Sequence, residues 1–341
     1  MNLKVIVLGA QGLIGQTLLE VLYQRHPDLE VIAVGSSRAV EQGECVQWGE
    51  DTLALEAIDT VDFHTADVVL SALPSDVARC YVPKAAAAGC FVIDHSTAFR
   101  QDPDVPLVIP EINGKCLAEQ PSIIANPNCS TIQLCMALKP LYDAVGITRV
   151  NVSTYQSVSG VGQEGLSTLL SETAQVLNGM NISESEVFPA QMAFNVVPQI
   201  DAFNENGYTR EEMKLYDETQ KIFNDPDLMV NATAVRVPVF HGHSESVHCE
   251  CKSEISVKAA KALFSNMPGV SVLDDAVCLT PMTHGNELEE VWVSRIRQDI
   301  THPYGLNFWI VADNLLKGGA LNTVQIIEAW YSPETFGFEQ A

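Results

Sequence analysis

Close to the start of the chain, a short apolar run, Leu3-Lys4-Val5-Ile6-Val7-Leu8, ends directly on Gly9-Ala10-Gln11-Gly12-Leu13-Ile14-Gly15. A run of this length bounded by glycine reads as a buried strand. Ile14, Leu18, Leu19 and Leu22 then line one side of a helix behind it. Glycines at such a turn permit its tightness and let a pyrophosphate approach the helix N-terminus, where unpaired N–H groups point outward. A GxxGxxG string alone is a weak signal, because glycines also end strands for purely structural reasons. Its place at the first strand–helix turn gives it weight, and makes Gly9, Gln11, Gly12, Leu13 and Ile14 candidate cofactor contacts.

The first third continues this plan. Leu29 to Val34, Val68 to Leu73 and Phe91 to Asp94 read as short buried strands, and Val82 to Ala88 as an Ala-rich helix. Strands alternating with helices imply right-handed βαβ units on a parallel sheet. The end of the second strand chooses the cofactor. It carries Gly35-Ser36-Ser37-Arg38 in place of the acidic residue that NAD sites use for the ribose hydroxyls. Ser36, Ser37 and Arg38 suit a 2′-phosphate, which points to NADP.

After Thr148 the pattern changes to alternation, at 150–155, 233–239, 246–253 and 289–296. This predicts a mostly antiparallel sheet with one covered face, with helices over 163–177 and 210–223 against it. Residues 314–330 read as helical despite Gly318 and Gly319 and return to the first domain. The fold class is α/β: a Rossmann-type parallel-sheet nucleotide-binding domain, residues 1–128 with 314–341, and an α+β domain, residues 129–313, with a mostly antiparallel sheet.

A formal net charge of -24 argues against nucleic-acid and anionic-membrane partners. An anionic small substrate would need locally placed cations. No apolar run approaches transmembrane length. Nine cysteines without small-scaffold spacing fit reduced thiols in the cytoplasm.

Asn126-Pro127-Asn128-Cys129-Ser130 carries the chemistry. Ser122-Ile123-Ile124-Ala125 reads as a short strand, and Ser130 to Leu141 has apolar residues at helical spacing. Cys129 therefore falls at a helix N-terminus, where backbone N–H groups and the helix dipole stabilise a thiolate. In Arg236-Val237-Pro238-Val239-Phe240-His241-Gly242-His243, a strand and turn project Arg236 and a histidine toward one mouth. Arginine can grip a carboxylate bidentately and histidine can move a proton. Spacing alone does not choose between His241 and His243. His248-Cys249-Glu250-Cys251 lacks the second ligand pair of a zinc site, so no metal is expected; Cys249 and Cys251 read as core, as does Cys135.

These segments together resemble aspartate-semialdehyde dehydrogenase over nearly the whole chain. The resemblance rests on the glycine loop, Asp94 to Arg100, Val105 to Asn113, Asn126 to Ser130, Tyr155 to Gly160, Phe194 to Gln199, Arg236 to His243, and Asp313-Asn314. It implies Cys129 as nucleophile, His243 as acid/base and Gln156 as the residue orienting the acyl group. It implies Arg236 for the substrate carboxylate, Glu218 for its amino group, and Arg100, Asn128 and Lys221 for phosphate. Ser159, Gly160, Gly162 and Asn314 match positions near the nicotinamide. The family usually has Thr where this chain has Gln11, and commonly Asn where it has His95. The implied reaction is reductive dephosphorylation of aspartyl phosphate to aspartate semialdehyde through a Cys129 thioester. It serves lysine, threonine and methionine biosynthesis, in a homodimer. An N-acetyl-glutamyl-phosphate reductase would normally read Asn-Pro-Gly-Cys, and a silent paralogue would have lost the nucleophile.

Overall fold

The computed structural model describes residues 1, 3–182 and 186–336. Residues 337–341, assigned from the sequence to the cofactor domain, lie outside the described residues. In chain order the elements are β1 (Lys4–Leu8), α1 (Leu13–Arg25), β2 (Glu30–Gly35), α2 (Ser37–Glu41), β3 (Cys45–Trp48), β4 (Asp51–Ala54), β5 (Glu56–Ala57), β6 (Val68–Ser71), α3 (Ser75–Ala87), β7 (Phe91–Asp94), α4 (Pro110–Asn113) and β8 (Ile123–Ala125). There follow α5 (Cys129–Val145), β9 (Ile147–Gln156), α6 (Gln163–Leu177), α7 (Arg210–Phe223), β10 (Met229–Arg236), β11 (His243–Cys251), α8 (Val257–Asn266), β12 (Val270–Val272), α9 (Pro281–His284), β13 (Val291–Gln298), β14 (Gly305–Ala312) and α10 (Leu321–Tyr331). The chain divides into two compact units, residues 1–127 with 319–341 and residues 128–318.

The first unit holds a six-stranded sheet in the order β5-β2-β1-β6-β7-β8, parallel throughout. Val5, Ile6, Val7 and Leu8 are fully buried, as a strand covered on both faces requires. The order reverses at β1, so the glycine loop after it stands at the topological switch point, where such sheets take their ligands.

The second unit holds a six-stranded sheet in the order β10-β9-β11-β14-β13-β12. The alternation in β9 and β11 buries Val150, Val152, Val247, Cys249 and Cys251 on the face packed by α5, α7 and α8. The opposite face carries half-exposed residues such as Asn151, Tyr155, Ser246 and Trp309. The three central pairs, β9/β11, β11/β14 and β14/β13, are antiparallel, and the outer pairs β10/β9 and β12/β13 are parallel. The sheet is therefore mixed, because β10 returns from β9 through two helices rather than a hairpin. Sequence patterning also missed β14, buried at both ends, and α8. The segment expected to be helical from 314 enters a π-helical turn at Leu316–Ala320 before α10 begins.

Candidate active site

Cys129 is the first residue of α5, and Asn128 is its N-cap, its side chain accepting the Ser130 N–H at 3.1 Å. The half-buried thiol thus sits at the positive end of a 17-residue helix. A Cβ on Gly318 would come within 2.9 Å of the Cys129 Cβ, so glycine there lets the π-helical turn close over Cys129.

Arg236 ends β10 and His243 begins β11, both buried. Arg236 Nη1 donates to the Ser157 carbonyl at 2.7 Å, and the Ser157 N–H donates to His243 Nδ1 at 3.1 Å. A Cβ on Gly160 would lie 2.9 Å from Arg236 Nη1 and 3.5 Å from His243 Nε2, so the two side chains flank one glycine. Because Nδ1 accepts from a backbone N–H, the ring proton belongs on Nε2. Burial first and the Arg236 charge second push the His243 pKa down to about 3, which keeps the ring neutral at physiological pH. The Gln156 amide nitrogen stands 3.4 Å from His243 Nε2, so two N–H donors converge on one spot. His241 is half-exposed beside this network, and the buried histidine is the one held in it.

Asn314 binds the same network from the far end. Its Oδ1 accepts from Ser157 Oγ at 3.2 Å, Ser159 Oγ at 3.1 Å and the Gly242 N–H at 3.0 Å. Ser159 and Gly160 lie in the turn after β9, and Gly162, at φ 88°, opens α6. Val197 pairs with Arg236 through two backbone hydrogen bonds, which places the Phe194-to-Gln199 motif beside β10.

Helix α7 departs from expectation. The carboxylate tied to Gln156 and Asn128 is Glu211, buried, whose Oε1 accepts from the Gln156 amide at 3.0 Å and from the Asn128 side chain at 3.1 Å. Its Oε2 accepts from Lys214 at 2.8 Å. Burial pushes its pKa up, but the Lys214 ammonium, the Gln156 amide and the Arg236 charge prevail and hold it at about 2. Glu218 lies two turns further on, and its carboxylate accepts the Asn128 backbone N–H at 2.7 Å. It holds the backbone just before Cys129. Lys221 stands in the last turn of the helix. Glu218 and Lys221 repeat the three-residue spacing of Glu211 and Lys214 on the same helix face, so the sequence offered two equivalent pairs. Only the fold separates them: it is Glu211 to which Gln156 donates.

In the first unit, Gly9 has φ 75°, and a Cβ there would meet the Ala72 carbonyl at 2.7 Å. Gly12 is the N-cap of α1 without any side-chain cap, which leaves the amides of Leu13 and Ile14 to an outside acceptor. This cradle fits a dinucleotide pyrophosphate. Gln11 fills the space above Gly35, with its Oε1 accepting the Ser36 N–H at 3.3 Å. Ser36 caps α2, Ser37 donates to Asp59 at 2.8 Å, and the Arg38 guanidinium is exposed, with no ion pair among the described residues. Asp59 corrects the expectation that no carboxylate stands near the end of β2. Its other oxygen accepts from Tyr81 at 2.7 Å, and the Tyr81 and Ser37 hydroxyls hold its pKa below the usual range. Arg100, buried, donates to the His95 carbonyl at 2.8 Å, and His95 Nε2 meets Thr323 Oγ1 at 2.6 Å.

Strand alternation separates the His248-to-Cys251 quartet. The two cysteines are buried, while His248 faces the other way and pairs with Asp299 at 2.9 Å. No cluster able to hold a metal occurs among the described residues. No helix among them is long and apolar enough to cross a membrane.

Residues 4–120 match the family described as semialdehyde dehydrogenase, NAD binding domain, and residues 138–317 match semialdehyde dehydrogenase, dimerisation domain. The aspartate-semialdehyde dehydrogenase of Shewanella violacea is 47% identical over 95% of this chain and 96% of its own length. The chain belongs to the aspartate-semialdehyde dehydrogenase family. The Legionella pneumophila member is also 47% identical, over 96% of this chain and 95% of its own. The crystal structure of aspartate semialdehyde dehydrogenase II from Vibrio cholerae, complexed with ASA, superposes with a TM-score of 0.93. It is 44% identical, covering 96% of this chain and 98% of that one. The family makes the chain an oxidoreductase with an NAD-binding domain and a dimerisation domain.

Proposed function

We propose that this chain is the NADP-dependent enzyme that converts aspartyl phosphate to aspartate semialdehyde, with Cys129 as the covalent nucleophile. The observation that carries the reading is the buried network of Arg236, Gln156, His243 and Glu211, in the unit whose longest buried helix starts at Cys129.

The Cys129 thiolate attacks the acyl carbon, the bond to the phosphate oxygen breaks, phosphate leaves with the electron pair, and a thioester remains. The helix N-terminus favours the thiolate without a base. Arg236 takes the α-carboxylate and Glu211, ionised, takes the ammonium group in place of Glu218. Arg100, Asn128, Lys214 and Lys221 are the phosphate candidates. The oxygen that gains charge during attack accepts from His243 Nε2–H and the Gln156 amide, two fixed donors in a dry site. His243 therefore acts by donating from Nε2: collapse of the attack adduct expels phosphate, and after the thioester is reduced, collapse of the resulting alkoxide releases the aldehyde and returns the thiolate. Ser159, Gly160, Gly162 and Asn314 are assigned to the nicotinamide end. Gly9, Gln11, Gly12, Leu13 and Ile14 are assigned to the pyrophosphate, and Ser36, Ser37 and Arg38 to the 2′-phosphate. When bound, the nicotinamide supplies the hydride that reduces the thioester.

A homodimer formed through the less covered face of the second sheet fits the matched dimerisation domain. The nine free thiols fit the cytoplasm. An acetylated amine carries no positive charge for the ionised Glu211 to meet, which disfavours an N-acetyl-glutamyl substrate. The test is phosphate-dependent reduction of NADP⁺ by aspartate semialdehyde, run beside N-acetyl-glutamate semialdehyde. Activity on the first alone is expected. Activity on the second alone would overturn the substrate assignment, and silence on both would overturn the enzyme.

A further inference from the structure

Beneath the catalytic network lies a second buried acid, Glu245, fully enclosed and two residues beyond His243 on β11. It sits opposite Thr154 on β9, and Thr154 Oγ1 donates to Gln156 Oε1 at 3.0 Å. On α5 it faces Gln133, one turn beyond Cys129 and itself buried. The three elements that carry nucleophile, acyl-orienting amide and histidine thus meet around one carboxyl group.

Gln133 is the polar side chain nearest to act on Glu245, and none of the four side-chain polar atoms of the two residues has a hydrogen-bond partner when the acid is written as a carboxylate. Among the described residues no cation pairs with Glu245, whereas Lys214 and Arg236 act on Glu211. The other titratable groups around it are His243 on its own strand and Cys135 on α5, neither of them cationic. An ionised carboxylate enclosed without a cation costs several kcal/mol. Donor counting gives the same answer. A carboxylate could accept from the Gln133 amide nitrogen but would leave the Gln133 amide oxygen without a donor, whereas a carboxylic acid donates to that oxygen while accepting from the nitrogen.

We propose that Glu245 is a positioning residue that works as a neutral carboxylic acid, pairing reciprocally with Gln133 to fix α5 and its Cys129 against β9 and β11. Burial shifts the Glu245 pKa well upward, in keeping with this state. A neutral acid also adds no negative charge under the helix end at which the thiolate forms. The role rests on Cys129 being the nucleophile of the proposed reaction.

The experiment uses the full-length protein with Glu245→Gln, Glu245→Leu, Gln133→Leu and the double Leu variant. Thiolate absorbance and the alkylation rate of Cys129 by iodoacetamide are titrated against pH, and steady-state kcat and KM are measured alongside. Glu245→Gln offers an amide pair of the same shape, so it keeps the Cys129 titration and a rate close to wild type. Either single Leu variant lowers kcat by roughly 100-fold through misplacement of the nucleophile, with KM little changed. The double variant loses less than the product of the two. The infrared band of a protonated carboxylic acid at neutral pH is present in wild type and absent in Glu245→Gln, a readout that survives even if the Leu variants fail to fold. A folded but inactive Glu245→Gln, a missing infrared band, or Leu variants with unaltered kcat and thiol titration would each overturn the proposal. Alkylation needs no substrate, so a wrong substrate assignment would leave these titrations intact and show only in the turnover assay.

Discussion

The glycine loop of the first unit and the buried side-chain network of the second are built in opposite ways. The loop works through backbone: Gly9 at positive φ and the uncapped amides after Gly12 form a site almost without side chains. The network works through side chains brought from far apart in sequence, such as Gln156 with Glu211 and Ser157 with Asn314. A backbone site is written in consecutive residues. A side-chain site is written in contacts that no local window contains.

Substitutions should expose this difference. Cys129→Ser lowers turnover by roughly 10⁴-fold or more while leaving NADP binding, measured by fluorescence, unchanged. Parallel loss of NADP binding would mean the two regions are not separable in this way. Glu211→Gln removes a buried charge partner and lowers kcat/KM for aspartate semialdehyde by roughly 10- to 100-fold. Glu218→Gln acts mainly on thermal stability, through the Asn128 amide it holds. A larger kinetic effect at Glu218 than at Glu211 would restore the reading made from the resemblance.

Gly160→Ala places a methyl group 2.9 Å from Arg236 Nη1, and roughly a tenfold loss of kcat/KM is expected in steady-state assays. Arg38→Ala raises the KM for NADP by about five- to tenfold and leaves that for NAD unchanged. Equal effects on both would show that Arg38 does not read a 2′-phosphate.

The smallest effect concerns pH. Folding lowers the His243 pKa from 6.5 to about 3, so between those values the unfolded chain binds a proton that the folded chain does not. That part of the stability is complete above pH 6.5 and declines as pH falls toward about 3. Glu211, lowered from 4.5 to about 2, adds a second loss across that lower window. Thermal midpoints recorded against pH should therefore flatten above about pH 4.5 in His243→Asn, and an unchanged slope there would contradict a neutral buried ring.

What the sequence disclosed follows the same division. The cofactor loop, the strand before Cys129 and the buried strands of the parallel sheet were legible because each is a run of neighbours. Arg236 and a histidine were legible as a pair because only a turn separates them, while the choice of His243 over His241 came from the resemblance. Glu211 was not, because Glu218 and Lys221 reproduce its pattern and only the fold shows which pair meets Gln156. Asp59 was hidden for a related reason: it reaches Ser37 from a different loop, 22 residues on. The mostly antiparallel expectation held for the three central pairs, and the two parallel outer pairs were not legible, since alternation reports a covered face and is silent on strand direction.

The most direct measurement is mass spectrometry of the protein quenched after mixing with NADP⁺ and aspartate semialdehyde without phosphate. An acyl adduct on the peptide carrying Cys129, discharged when phosphate is added, is the predicted result. Turnover with no adduct, or an adduct on any other cysteine, would contradict covalent catalysis at Cys129.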